Sequence, residues 1–388
     1  MTEGAGAYEA ACVIEVEGRE LMRKRPGMYV GSTGVRGLHQ LVYEVAARSV
    51  NEVLAGGGGR VDVTLTQDGG IRITDDGPGI PFEAEGGACA GLETLLTRPD
   101  AELRPDGRNT VRWSVHGVGP CAATVMSSRL TAEVRRGGAR WVQEYARGVA
   151  LAPPADVGPA TDTGTTIAFW PDPDIFDTVD CSFAVLAGRA REVALLNRGL
   201  ALSLTDERPT SGTRSVTFRY PEGAGDFVAL LDAETEWVPP EVVAFAWEDE
   251  GMAGSVEAAL SWRSGRDERV RSFANSAPTP EGGTHEEGFR IGVAAALTEH
   301  ALRRGLLKAG DPELGADRVG EGLTAVVSVR LDRPEYHGST RGRLGGATVR
   351  HGVEQGVREH LGSWLDRHPE RAAAIIGRIT RDTDSDER

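Results

Sequence analysis

The chain of 388 residues is 40% hydrophobic and 26% charged, with a formal net charge of −15. That length buries a full core in two domains, and the acidic balance excludes a surface coated in nucleic acid while allowing a local basic groove. No apolar run approaches the ~20 residues of a membrane span, and no basic-then-apolar leader opens the sequence.

Residues 1–16 read as an N-terminal arm containing Tyr8 and the apolar Val13 and Ile14. Residues 38–55 form an amphipathic helix, with Leu38, Leu41, Val42, Val45, Val50, Val53 and Leu54 on one face at helical spacing. Glu44, Arg48 and Glu52 recur at i, i+4 and i+8, an ion-pair ladder on a neighbouring stripe. On this helix alone the ladder reads as a solvated face. Strands follow near 60–66 and 71–75, the second ending in the turn Asp75-Asp76-Gly77-Pro78-Gly79-Ile80-Pro81. The loop His116-Gly117-Val118-Gly119 opens another helix, and strands are expected near 129–136, 141–147 and 165–170. That alternation predicts an α/β sandwich over residues 17–220. A polar, turn-rich stretch at 218–226 marks the boundary. Beyond it, strands near 241–248, 254–263 and 323–331, a helix over 285–304 and a helix pair over 347–379 make a second α/β domain, residues 221–379. Residues 380–388 read as a disordered acidic tail.

Cys12, Cys89, Cys121 and Cys181 are scattered without CxxC spacing, so neither a zinc site nor a disulfide framework is indicated, and a reducing cytoplasm fits. Lys24 and Lys308 are the only lysines, against 41 arginines.

Taken singly, the motifs are an ordinary turn and a tight glycine loop. In this order, with the flanking segments 17–39, 272–275, 281–290 and 321–329, they resemble the ATPase half of DNA gyrase B and its topoisomerase IV relative, of the GHKL family. The resemblance implies an α+β fold, in which a GHKL (Bergerat) ATP-binding sandwich precedes a ribosomal-S5-domain-2-like transducer domain. It stops before the family's module that cooperates in DNA cleavage, so no DNA cleavage is expected of this chain alone.

By the same resemblance, Asp75 is the acceptor for the adenine amine, with Gly77, Gly79 and Ile80 beside it and Thr165 in support. His116, Gly117, Val118 and Gly119 match the lid whose backbone N–H groups hold phosphates. Glu44 matches the general base that takes a proton from the attacking water. Ser339 and Arg341 stand in the loop that reaches the γ-phosphate, and Tyr8 matches an arm tyrosine that reaches the partner's nucleotide in the ATP-closed dimer.

Several positions depart from that pattern. Arg48 replaces the asparagine that binds Mg²⁺; a guanidinium has five donors and no acceptor, and cannot ligate a cation. Ala47 replaces a common aspartate. Trp113 and Ser114 replace two lid glycines, and a tryptophan there stiffens or diverts the lid. Ala101, Glu102 and Leu103 replace a Gly-Gly-Lys element, and Ser339 with Arg341 replaces a longer glutamine and a lysine. Pro78 replaces an arginine that pairs with the glutamate at position 52, which suggests that Arg48 now partners Glu52. The loss of that arginine also predicts weakened aminocoumarin binding.

The resulting expectation is a gyrase-B-like, ATP-binding, ATP-dependent homodimer clamp whose hydrolysis is weak or lost. ATP is its cofactor, Mg²⁺ is disfavoured by Arg48, and no metal ligand is assigned. Gyrase subunits are candidate partners, DNA is contacted indirectly or weakly, no membrane is involved, and the location is the bacterial cytoplasm. Two alternatives stay open: an ATP-hydrolysing gyrase component or fragment, and a regulator or decoy of gyrase that binds no nucleotide.

Overall fold

A computed structural model describes residues 18–82, 91–99, 110–113, 117–208, 212–233, 241–263, 265–308, 313–338 and 340–381. The arm with Tyr8, the loop of Ala101, Glu102 and Leu103, and Ser114, His116, Ser339 and residues 382–388 lie outside them.

Three helices lead in: α1 (Gly18–Lys24), α2 (Gly27–Val30) and α3 (Val35–Ala55). The apolar stripe of α3 is buried as its spacing requires, from Leu38 and Leu41 through Val45 to Val50 and Val53. The helix begins before that stripe because Ser32 Oγ accepts from the Gly37 N–H at 3.1 Å. A Cβ on Gly37 would lie 1.8 Å from the Ser32 carbonyl oxygen, so the approach requires glycine.

The first sheet contains β1 (Gly59–Leu65), β2 (Ile71–Asp75), β3 (Ser127–Arg136), β4 (Ala139–Ala146), β5 (Val149–Ala150), β6 (Ala155–Pro159), β7 (Gly164–Pro171), β8 (Leu200–Asp206) and β9 (Arg214–Phe218). Their order is β5-β4-β3-β7-β2-β1-β8-β9, with β6 paired to β4. The pairing is antiparallel except for β1 with β8, which are parallel. Such a parallel neighbour needs a crossover connection, and helices α4 (Leu92–Thr97), α5 (Cys121–Val125) and α6 (Phe183–Leu195) lie along the path. Packed beneath α3, this sheet encloses one core.

A second, smaller body follows: α7 (Ala224–Ala233), β10 (Val243–Asp249), β11 (Gly254–Trp262), β12 (Arg269–Ala274), β13 (Ala277–Pro278), α8 (Thr284–Arg303), α9 (Ala316–Gly320), β14 (Leu323–Leu331), α10 (Ala347–Arg367) and α11 (Pro369–Arg381). Its sheet runs β10-β11-β14-β12-β13, with β12 and β14 parallel. Helices α8 and α10 meet backbone to backbone: a Cβ on Gly288 would lie 2.3 Å from the Arg350 carbonyl oxygen. A third apolar cluster of Leu195, Leu196, Phe227, Val228, Phe273 and Val326 joins the end of α6 to the second sheet.

Several elements go beyond the sequence expectations. Leu200, Leu202 and Leu204 make β8 at strand period, Ser182 caps α6 by accepting from the Val185 N–H, and α11 continues to Arg381. Strand β12, which opens with Arg269 and Arg271 on either side of Val270, has too little apolar alternation to read from sequence. No helix among the described residues is long and apolar enough to cross a membrane.

Candidate functional site

The register of β2 against β7 sets Asp75 directly opposite Thr165. Residues far apart in the chain are thereby brought to one point at the end of β2. Asp75 is 1% exposed, and its Oδ1 accepts from the Thr165 N–H at 3.1 Å and the Gly77 N–H at 3.2 Å. Thr165 Oγ1 accepts in turn from the Ile80 N–H at 3.2 Å, which ties the turn after β2 to β7. The glycines here are required by crowding. A Cβ on Gly164 would lie 2.1 Å from the Asp75 carbonyl oxygen, and one on Gly79 would lie 2.6 Å from that of Arg135.

From above, α3 delivers three buried charges, Glu44, Arg48 and Glu52. Arg48 Nη1 donates to Asp75 Oδ2 at 2.7 Å, and Nη2 donates to Thr165 Oγ1 at 3.2 Å. Nη1 also reaches Ser49 Oγ at 3.3 Å, while Nε is buried without a hydrogen-bond partner. The ion pair is enclosed, with both side chains almost free of solvent. This corrects two expectations. Arg48 takes Asp75 as its ion-pair partner, not Glu52 or Glu44, and the Asp75–Thr165 half of the pocket is intact in structure but engaged by the chain itself. The cause is energetic: an enclosed carboxylate without a cation costs several kcal/mol, whereas the helix ladder would contribute less than about 1 kcal/mol.

The other end of the pocket is also engaged internally. Glu44 Oε1 accepts from the Val118 N–H at 3.0 Å and Oε2 from the Gly119 N–H at 2.9 Å. Gly117 and Gly119 hold the loop with φ of 64° and 81°, the left-handed geometry that turns successive N–H groups to one side. Thus Glu44 meets the lid through both oxygens, and a carboxylate held by two amides is badly placed to take a proton from water.

The lid's other end is fastened as well. Asn51 pairs with both backbone groups of Val111, accepting at 2.7 Å and donating at 3.2 Å. Trp113 is buried in the core and stacks on Tyr43 with ring centroids 6.0 Å apart, so it anchors the segment rather than only stiffening it. Burial pushes the Tyr43 hydroxyl up to about 12, so the ring stays neutral. Arg189 donates to the carbonyls of Arg112, Trp113 and Ser276, and the Arg112 N–H donates to the Asn275 carbonyl at 2.9 Å. The sequence reading does not single out Tyr43, Asn51 or Arg189. Asn51 lies two helical turns beyond Glu44, and that spacing is the signal that could have found it.

Arg341 adopts φ 55°, in a turn tied to the second body by the Glu281 N–H to Gly342 carbonyl bond at 3.0 Å. No hydrogen bond or ion pair among the described residues joins it to Glu44, Asp75 or the lid.

A magnesium nucleotide fits this donor set poorly. The guanidinium at the expected ligand position offers only donors and brings a positive charge, and both Asp75 oxygens and both Glu44 oxygens already accept.

A family model described as DNA gyrase B matches residues 223–388. The DNA gyrase B of Streptomyces coelicolor is 42% identical over 394 residues, covering 96% of this chain and 57% of that protein. The novobiocin-sensitive DNA gyrase B of Streptomyces niveus is 41% identical, covering 96% and 58%. The chain therefore spans well under two thirds of these relatives' length. Among solved structures, the 43K ATPase domain of Thermus thermophilus gyrase B in complex with an aminocoumarin superposes with a TM-score of 0.82 at 30% identity, over 95% of this chain and 96% of that one.

Proposed function

The chain belongs to the DNA gyrase B family, as its N-terminal region with the GHKL ATPase fold, and from that premise we propose that this member does not hydrolyse ATP. It acts as a clamp-like regulator or decoy among gyrase subunits, paired with a second copy of itself, and ATP gains its site only by displacing internal contacts.

One observation carries this reading: the enclosed Arg48–Asp75 ion pair at 2.7 Å. It places a cation where the family resemblance calls for a metal ligand, and it engages the carboxylate that would accept the adenine amine. Losing a metal ligand commonly removes several kcal/mol of transition-state stabilisation, on the order of a thousandfold in rate. The engagement of Glu44 with the lid amides supports the same reading.

The test compares the chain with Arg48→Asn in ATP titrations and steady-state turnover with Mg²⁺. We expect no turnover above background in the parent chain, and an ATP affinity about tenfold or more higher in Arg48→Asn once the competing donors at Asp75 are gone. Magnesium-dependent turnover by the parent equal to that of the variant would overturn the proposal.

A further inference from the structure

The second sheet reaches the first body with a two-residue turn. Strands β12 and β13 pair through Ala274 and Ala277, so Asn275 and Ser276 are the turn's central residues, with φ of 50° and 62°. Such a hairpin turn favours glycine at its second central position, and here a serine holds it. Both residues are buried, so the turn is kept in shape by what surrounds it. Within the second body, the Asn275 side chain exchanges two bonds with the Leu331 backbone, at 2.9 and 3.0 Å. The tip also bonds the first body. The Asn275 carbonyl accepts from the Arg112 N–H at 2.9 Å, and the Ser276 hydroxyl lies 3.2 Å from Asn197 Nδ2.

Arg189 of α6 stands at the meeting point. Its Nη2 donates to the carbonyls of Arg112 at 3.4 Å, Trp113 at 3.4 Å and Ser276 at 3.3 Å. The two hydrogens of one nitrogen cannot serve three carbonyls fully, so the bonds are shared and the cation sits at the focus of three dipoles. Glu192, three residues on, holds the other arm of the fork through Nη1. Two of the carbonyls belong to segment 110–113, whose Val111 is bound to Asn51 of α3, and the third belongs to the second sheet. A displaced turn takes one carbonyl away, and the guanidinium then shifts toward the other two.

We propose that Arg189 is a positioning residue that couples the second body to segment 110–113, so that a change in the Asn275–Ser276 turn is felt at the Asn51–Val111 contact on α3. The inference goes beyond the proposed function. It concerns how the two bodies are tied, and it holds whether or not ATP is hydrolysed.

Hydrogen exchange at single amides of the whole chain, arranged as a double-mutant cycle, tests this. Asn275→Ala removes the two bonds to Leu331, both within the second body. It is expected to speed the Val111 amide, in the first body, about threefold or more. Added to Arg189→Met, the same substitution should leave Val111 no faster than in Arg189→Met alone, because the connection is gone. The Leu202 and Val256 amides, each in a strand paired on both sides, report the global stability of the two bodies. Three results would overturn the inference: equal acceleration of Val111 in both backgrounds, acceleration only in step with Leu202 and Val256, or none at all. Should Arg189→Met fail to fold, Arg189→Lys takes its place in the cycle, since a compact ammonium cannot span the same three carbonyls. Ser276→Gly keeps the carbonyl and suits the turn, so Val111 should stay slow. A release matching that of Asn275→Ala would assign the tie to the serine hydroxyl and sink the role of Arg189.

Discussion

Arg48 Nη1 lies 2.7 Å from Asp75 Oδ2, across the 27 residues that separate the middle of α3 from the end of β2. The contact joins a helix charge that reads as solvated to a strand-end carboxylate that reads as ligand-binding, and each satisfies the other in an enclosed space.

Removing one partner of such a pair leaves an uncompensated buried charge. Arg48→Leu should therefore lower stability by about 3–5 kcal/mol, read as a fall in the urea midpoint at unchanged slope. Arg48→Leu combined with Asp75→Asn should recover much of that loss, since the amide oxygen can still accept from Gly77 or Thr165. A single variant as stable as the parent would mean that the pair is not formed in solution.

Stability in acid should bear the mark of His285. Burial holds this imidazole far below its ordinary 6.5, down to about 3, with Nε2 placed 3.2 Å from Thr279 Oγ1. The folded chain refuses a proton that the unfolded chain accepts below pH 6.5. Its contribution is thus present above pH 6.5 and is lost as the pH falls from there toward about 3. The expected slope is up to ~1.4 kcal/mol per pH unit for this one group. His285→Gln should flatten the unfolding midpoint against pH within that window, and parallel curves for parent and variant would refute the assignment.

The two bodies are coupled at Arg330. From β14 it donates to the Leu196 carbonyl at 2.8 Å and to Asn197 Oδ1 at 2.9 Å, at the end of α6. Burial lowers its pKa, opposed by the charge of Glu257. Arg330→Met removes the donor from the buried Leu196 carbonyl at a cost of about 1–3 kcal/mol, and leaves Asn197 Oδ1 with only the Ser276 hydroxyl at 3.4 Å. Calorimetry should then resolve separate unfolding of the two bodies, where the parent unfolds in a single transition. A single transition retained at an unchanged midpoint would show that the apolar cluster of Leu196, Phe227 and Phe273 suffices for the coupling.

Much of the fold was legible in local pattern. The apolar period of α3, the alternation in β1 and β2, and the long helices α8 and α10 are properties of neighbouring residues, and these elements stand close to where periodicity puts them. The edge strands β5, β6 and β9 are short or exposed and leave little periodic trace. Within the site, Asp75, Thr165, Glu44 and the Val118–Gly119 loop were all legible as motifs, whereas Asn51 and Arg189 act on backbone atoms distant in sequence, and no local pattern reports that.

Arg48 divides the two kinds of knowledge. The sequence by itself determined that position 48 carries a guanidinium, a group of donors only, where the family resemblance implies a metal-ligating amide, since donor and acceptor capacity belong to the side chain wherever it points. Helical spacing offered Glu44 and Glu52 as partners, because they were the carboxylates within local reach. Only the tertiary structure decided for Asp75. The β2–β7 register encloses that carboxylate beside Thr165, and an enclosed charge demands compensation far more strongly than a helix ladder rewards it.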